Sequence, residues 1–291
     1  MKFLELCLSP DLGGLELYVE RCCRMLSETD ELHGVLNAQG RLAGRLRDAG
    51  HTTSFLGTGY KPLPWIRARK LAGIIDGNGI ALVHVHWGND LPLASLAKRL
   101  SKVQPALVYT RQMQITQSKK DAYHRVVYEQ MDLMLTITRN LERSARDYLP
   151  DGASERVRTL YYGVREPQKP ADESERDKIR NEAGIPHVAF LCGLFGRLQY
   201  EKGQHLLIEA IARARDQGDE IHALIVGHEM ENGYHQTLRE MAMRHGIPDC
   251  IHFLDFVENP QRYMQACDCV VLATREETFG LVLAEAMRAG V

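Results

Sequence analysis

No apolar run in the 291-residue chain approaches the roughly 18–20 residues that a membrane-crossing helix needs. The opening stretch MKFLELCLSPDLGG has only a short apolar segment, broken by Glu5, and reads as a strand, not as a secretion signal. A disulfide framework is excluded as well, because the seven cysteines are odd in number and scattered, a pattern that fits a reducing cytoplasm. Cys22-Cys23 falls within a predicted helix, and Cys267-x-Cys269 is too isolated to hold zinc. Neither G-x-S-x-G, nor H-E-x-x-H, nor a paired C-x-x-C occurs, which leaves serine-hydrolase and zinc-protease readings without residues. G-x-x-x-x-G-K-[ST] and G-x-G-x-x-G are missing too, and no acidic residue ends the second predicted strand, so P-loop and nicotinamide-cofactor readings fail. Short-period repeats and low-complexity tracts are absent, and nothing points to a nucleic-acid partner.

What is present is ordinary in composition: 44% hydrophobic and 25% charged residues, in a chain long enough for two domains. The net charge of −2 conceals an asymmetry. Residues 1–165 carry 23 Lys+Arg against 17 Asp+Glu, and residues 166–291 carry 13 against 21. The basic half could face an anionic membrane surface or an acidic acceptor, although scattered solvated charge is the plainer account. Arg67, Arg69 and Lys70 form a small basic patch on one predicted helix.

Short apolar runs alternate with helical stretches throughout. Strands are predicted at Phe3–Leu8, His33–Asn37, Thr53–Leu56, Ala81–His86, Ala106–Thr110, Leu133–Ile137 and Val157–Tyr161. After the polar segment Gly163–Ser174, the best linker candidate, a short helix over Asp172–Gly184 precedes further strands. These fall at Val188–Leu194, His222–Val226, Ile251–Leu254 and Cys269–Ala273, with a closing helix from Leu281 to Ala289. Strands separated by helices of about 10–15 residues indicate βαβ units on parallel sheets, with right-handed crossovers placing helices on both faces. The expected division is an N-terminal Rossmann-like domain over residues 1–165 and a second over residues 166–291. Ala289-Gly290-Val291 looks like a helix end turning into a strand, so the sequence reads as C-terminally truncated, with the second domain incomplete.

In open α/β sheets, ligands bind at the carboxyl ends of the strands. Gly13-Gly14 follows the first strand and precedes a helix, where missing side chains allow close approach to backbone amides; a tight turn is an equal explanation. His84-x-His86 has period-two spacing, so both rings share one face. No third ligand for a metal is apparent, and the favoured reading is a lone polar His86 at the strand end. In GRLQYEKG, residues 196–203, Arg197 and Lys202 project from a loop before a helix, where they could neutralise phosphate or simply be solvated. Glu277 and Glu285 stand eight apart, the first on a loop and the second inside the last helix. Between them the free amides of the helix start suit a phosphate, and the carboxylates suit sugar hydroxyls; two solvated glutamates are the plainer account. Tyr161-Tyr162 and Phe253 to Phe256 are most simply core.

Taken in order, these stretches resemble the GT-B glycosyltransferases of glycosyltransferase family four. VLATREETFGLVLAEAMRAG, residues 271–290, is similar to the family's E-x7-E donor signature, with Thr278 where glycine is frequent and Ala273 where proline is frequent. GRLQYEKG is similar to its Arg/Lys diphosphate loop, Gly13-Gly14 to its N-terminal glycine loop, and His84-Val85-His86 to its strand-end histidine motif. The resemblance implies two Rossmann-like domains facing a cleft, the first on the acceptor side and the second binding the nucleotide sugar. It implies retaining transfer of a sugar from a nucleoside diphosphate sugar to a glycan or lipid-linked acceptor, without metal or cofactor, in envelope polysaccharide or lipopolysaccharide synthesis. Arg197 and Lys202 would balance the leaving diphosphate, amides near Gly280 and Leu281 (the Thr278-Phe279-Gly280 turn) would hold a phosphate, and Glu285 would accept from ribose hydroxyls. Glu277 would bind hydroxyls of the donor sugar, His86 would lie beside its 6-position, and Gly13-Gly14 would meet the diphosphate. The location expected is cytoplasmic, with peripheral contact at the inner membrane face, and the 291-residue piece is expected to be weakly stable and poorly active. A nucleotide-sugar epimerase and a non-catalytic nucleotide-sugar-binding module are the alternatives.

Overall fold

A computed structural model describes residues 1–57, 64–164 and 173–291. Most of the predicted linker Gly163–Ser174 lies outside these residues. The described residues divide into two compact units, Met1–Tyr161 and Tyr162–Val291.

The first unit is a seven-stranded parallel sheet in the order β3-β2-β1-β4-β5-β6-β7. Its strands are β1 (Lys2–Cys7), β2 (Glu31–Leu36), β3 (Thr52–Phe55), β4 (Leu82–Val85), β5 (Ala106–Arg111), β6 (Leu133–Thr136) and β7 (Val157–Thr159). The helices between them are α1 (Gly14–Leu26), α2 (Arg41–Asp48), α3 (Trp65–Asn78), α4 (Leu91–Leu100), α5 (Ala122–Glu129), α6 (Arg139–Tyr148) and the short α7 (Asp151–Ser154). The order reverses at β1, which pairs with β2 on one side and β4 on the other, and this reversal marks the usual ligand-binding edge. Central strands are buried on both faces, so β1 and β4 read as near-continuous apolar runs. Leu4, Leu6, Val83 and Val85 enter a core with Leu71, Ile75 and Leu107. Within such runs the charged Glu5 and the paired histidines His84 and His86 stand out, and all three are buried.

The second unit contains α8 (Glu173–Glu182), α9 (Gln204–Asp216), α10 (Tyr234–Arg244), α11 (Pro260–Met264) and α12 (Leu281–Ala289). Its parallel sheet runs β10-β9-β8-β11, from β8 (Phe190–Phe195), β9 (Ile221–Val226), β10 (Ile251–Leu254) and β11 (Cys269–Val270). Both sheets reproduce the expected parallel α/β class, and most predicted elements lie within two residues of the observed ones. Three readings need correction. The last strand was expected through Ala273 but pairs only over Cys269–Val270, with Val271 adding one further bond to Gly193 O. Beyond it Thr274 and Arg275 turn away and bond to the Glu201 carbonyl instead. The aromatic residues expected in the core are not all there: Tyr161 is 54% exposed and Phe256 42%. The helix α7 had no periodic signal, being only four residues long.

A buried arginine fastens the second unit. Arg180 is 2% exposed and donates through Nη2 to Asp268 Oδ2 at 2.8 Å, and through its other nitrogens to the carbonyls of Ala266, His187 and Ala189. Asp268 Oδ2 also accepts from the Leu191 amide at 2.7 Å, so α8, the start of β8 and the turn before β11 share one polar knot. A guanidinium can be buried here because its protons are used by carbonyls and by the half-buried Asp268 carboxylate.

Candidate active site

The loop after β8 and the segment leading into α12 are zipped together by backbone. Gly203 is the hinge of this contact. Its φ of +74° is in the left-handed region, and an added β-carbon would lie 2.2 Å from the Ala273 carbonyl oxygen. Glycine alone allows both the conformation and the close approach. The Glu201 carbonyl then accepts from the Arg275 amide at 3.2 Å and from Thr274 Oγ1 at 3.1 Å. These bonds bring Lys202 and Glu277, 75 residues apart, to 3.4 Å. Both side chains are part-exposed, 28% and 31%, so the pair is open to ligand and solvent.

Arg197 lies on the same loop. The buried Gln204 donates from Nε2 to the Arg197 carbonyl at 2.8 Å and so fixes the backbone that carries it. Among the described residues the Arg197 guanidinium has no ion-pair partner. Gln204 was not singled out from sequence, and no pattern marks it.

Glu277 does more than pair with lysine. Its Oε1 accepts from the amides of Thr278 at 3.0 Å and, more weakly, Phe279 at 3.5 Å. Partial burial pushes its pKa up, but the Lys202 charge and the amides of Thr278, Phe279 and Gly280 outweigh this and hold the carboxyl below its usual range. The carboxylate thus occupies part of the anion-binding turn expected to receive a phosphate. The Gly280 amide is engaged with it, while among the described residues the amides of Leu281 and Val282 meet no protein acceptor. Gly280, at φ +74°, caps α12, and Glu285 lies half-buried within that helix. Phe279 packs edge-on against Tyr162 with ring centroids 5.0 Å apart. Lys202, Glu277 and the Thr278–Leu281 turn are therefore brought together, with Arg197 five residues before Lys202 on the same loop; Glu285 follows one turn inside α12.

In the first unit Gly13 precedes α1 with φ of −146°, and neither it nor Gly14 has positive φ, so left-handed backbone does not require glycine at either position. The Gly13 amide donates to Glu16 Oε2 at 2.7 Å, and the position of a Gly14 β-carbon is open space. His86 departs from expectation. Its imidazole is enclosed, with side-chain exposure of 0%, and Nε2 bonds to Glu5 Oε2 instead of reaching a ligand. The reason is the carboxylate on the neighbouring strand, which sequence reading took only as an interruption in an apolar run. Tyr18 of α1 stands edge-on over His86 at 5.7 Å. Burial, followed by the neighbouring His84, lowers the His86 pKa to about 4, so the ring is neutral near pH 7.

Two parallel Rossmann-like sheets with a basic loop and an acidic helix entry at strand ends define the GT-B fold. The family described as Glycosyl transferases group 1 matches residues 175–291, and Glycosyl transferase 4-like matches residues 5–145. The chain belongs to the GT-B glycosyltransferases of the family-four type. Over 128 residues, 42% of this chain, it is 34% identical to a D-inositol 3-phosphate glycosyltransferase of Corynebacterium urealyticum, and the shared stretch spans 30% of that relative. A lipopolysaccharide core biosynthesis mannosyltransferase, LpsB of Rhizobium meliloti, is 24% identical over 89% of the chain and 72% of its own length. The structure of Anabaena Alr3699/HepE in complex with UDP superposes with a TM-score of 0.83 at 23% identity, covering 100% of this chain and 79% of that one. Among the described residues no helix is long and apolar enough to cross a membrane.

Proposed function

We propose that the chain transfers a sugar, with retention, from a nucleoside diphosphate sugar to a glycan or lipid-linked acceptor, in the building of an envelope polysaccharide or lipopolysaccharide. The observation that carries this reading is the cationic loop: among the described residues Arg197 has no counter-ion and the Lys202 ammonium pairs only with Glu277, at 3.4 Å. A neighbour crystallised with UDP supports the nucleoside diphosphate donor, and a relative named for lipopolysaccharide core biosynthesis supports the envelope acceptor.

In this reading the anomeric carbon–oxygen bond to the diphosphate breaks while the acceptor oxygen bonds to the same face. The acceptor proton passes to the leaving phosphate oxygen, so no protein nucleophile is required. Arg197 and Lys202 stabilise the charge that grows on the diphosphate, the Leu281 and Val282 amides hold one phosphate, and Glu285 accepts from ribose hydroxyls. Glu277 accepts from donor-sugar hydroxyls, and the open backbone at Gly14 offers an amide to an anion. The cations do the work of a divalent ion at the diphosphate. On α3 the exposed Trp65, Ile66, Arg69 and Lys70 share one face, which suits peripheral contact with an anionic membrane.

The test is incubation of the chain with labelled nucleotide sugars and an acceptor extract, with and without added Mg²⁺ or Mn²⁺. Transfer that loses roughly 10²–10³ in kcat on Lys202→Ala, and changes little with added ion, is the expected result. Transfer that is unchanged in both Lys202→Ala and Glu277→Ala would overturn the assignment, as would an epimerised sugar formed without acceptor.

A further inference from the structure

The sequence contains two Asn-Gly pairs, Asn78-Gly79 and Asn232-Gly233, and the fold treats them in opposite ways. Asn78 ends α3. Its Nδ2 donates to the Ile74 carbonyl at 2.8 Å, and the Gly79 amide is held by the carbonyls of Ile75 and Asp76. Asn232 and Gly233 are both exposed, on the turn between β9 and α10. The Tyr234 amide closes this turn onto the Glu231 carbonyl at 3.0 Å, with Gly233 in the left-handed region at φ +84°. Among the described residues neither the Asn232 carboxamide nor the Gly233 amide meets a hydrogen-bond partner.

That difference decides reactivity. An asparagine is labile because its side-chain carbonyl carbon can be attacked by the backbone nitrogen that follows it. The attack needs a nitrogen that is uncommitted and unobstructed, and glycine has no β-carbon to stand in the way. At Asn78 both reacting groups are committed to the helix end. At Asn232 neither is, and the space around Gly233 is open.

The same turn is strapped to the loop that carries the two cations. The Leu198 amide donates to the His228 carbonyl at 2.9 Å, and the Met230 amide donates to the Leu198 carbonyl at 3.1 Å. The Tyr200 amide donates to Glu231 Oε2 at 3.1 Å, and Tyr200 begins the single 3₁₀ turn that ends at Lys202. Glu231 therefore joins the neighbour of the labile asparagine to the support of Lys202.

We propose that Asn232-Gly233 is a site of spontaneous covalent modification whose product loosens the Arg197–Lys202 loop. The Gly233 nitrogen bonds to Asn232 Cγ and the Cγ–Nδ2 bond breaks, so the side-chain nitrogen leaves as ammonia with the proton of the Gly233 amide. Water then opens the succinimide. Attack at Cγ gives aspartate, and attack at the main-chain carbonyl carbon gives isoaspartate, in which the backbone runs through the side chain and is longer by a methylene. Either product is negatively charged where the amide was neutral. Isoaspartate displaces Glu231 relative to α10 and releases its hold on Tyr200. The site follows from the turn alone, whereas its effect on nucleoside diphosphate binding rests on the transfer reading above.

The experiment ages the full chain in warm, mildly alkaline buffer and follows it by peptide mass spectrometry and by enzymatic methylation of isoaspartyl groups. The peptide containing Asn232 should show the mass change of amide to acid, with isoaspartate as the main product. The peptide containing Asn78 should stay unchanged until urea unfolds the chain, when both react. Asn232→Gln should keep the fold and stay unmodified through the same ageing. UDP affinity by calorimetry is expected to fall roughly 3- to 10-fold in the aged parent, as for the loss of one hydrogen bond, and to hold in aged Asn232→Gln. Asn232 remaining intact in the folded chain, or Asn78 reacting as fast, would overturn the site. A modified chain with parental UDP affinity would overturn the effect on the loop. Fresh chain that binds no UDP would overturn the donor reading and the loop effect with it, and the isoaspartate measurement would then decide the site by itself.

Discussion

Gly203 faces the carbonyl of Ala273 so closely that a β-carbon there would lie 2.2 Å from the oxygen, at a backbone φ of +74°. This contact positions Lys202 relative to Glu277. Gly203→Ala is expected to cost about 1–3 kcal/mol from left-handed strain and the forced backbone shift. Nucleotide affinity should fall further than stability alone explains. Parental urea midpoint and parental UDP titration in this variant would show that the contact is not needed.

Among the described residues Arg197 has no ion-pair partner, so its loss removes ligand binding without orphaning a buried charge. Arg197→Gln is expected to weaken nucleoside diphosphate binding about 10- to 100-fold, the effect of one charge-assisted contact. The urea midpoint should hold within about 0.5 kcal/mol. Calorimetric titration with UDP and GDP against the matching monophosphates checks this, since only diphosphate affinity should drop.

Arg180 is different in kind. Arg180→Ala leaves Asp268 with Arg176 and the Leu191 amide, but it removes the donor to the buried carbonyls of Ala266 and Ala189 and empties a volume between α8 and β8, so a loss of about 2–4 kcal/mol is expected. Arg180→Met, of similar volume, should cost less than Arg180→Ala, because it refills the space and Asp268 keeps its pair with Arg176. Equal midpoints for Arg180→Ala and the parent chain would contradict the buried knot.

Acid stability should report the Glu5 cluster. Burial alone would raise the Glu5 pKa, but the charges and hydrogen bonds of His84 and His86 prevail and hold it near 2 against an ordinary 4.5. His86 is lowered by burial to about 4 from 6.5. In both cases the unfolded chain takes up a proton at a pH where the folded chain does not. Both contributions are therefore complete above about pH 6.5, with His86's lost as pH falls to about 4 and Glu5's lost between about 4.5 and 2. Each is of order a few kcal/mol. Urea midpoints that stay flat from pH 7 to pH 4 would exclude the His86 part, and His86→Gln should flatten that limb.

The α3 face offers a separate check. Trp65→Ala with Arg69→Gln and Lys70→Gln should reduce co-sedimentation with vesicles of phosphatidylglycerol and phosphatidylcholine about tenfold or more, and raised salt should do the same to the parent. Unchanged sedimentation would retire membrane contact through this helix.

The sequence was most legible where information is local. Apolar runs of four to six residues between helical stretches gave both sheets, because a central parallel strand must be apolar on both faces. The Arg197–Lys202 and Glu277–Leu281 segments were legible for a related reason: each follows a strand and precedes a helix start. What could not be read depends on contacts between distant segments. Glu5 meets His84 only because β1 and β4 are neighbours, a pairing 79 residues apart in the chain. Gly203 against Ala273, and Gln204 under Arg197, likewise belong to the folded backbone and leave no spacing to detect. β11 was overextended because its apolar composition continues after its hydrogen-bond partners turn away.

The Glu277 carboxylate, already seated on the amides of Thr278 and Phe279 and against Lys202, has a consequence for how a ligand arrives. In the proposed reading a diphosphate would meet Arg197 and the Leu281 and Val282 amides directly but would compete with a resident anion for Lys202. Measured affinity would then carry the cost of breaking that ion pair. Such a site holds its ligand less tightly than its cations suggest and lets the spent nucleotide go as the carboxylate swings back. Glu277→Gln should then bind UDP more tightly than the parent chain while turning over less, a pairing of gains and losses that a simple sugar contact would not produce.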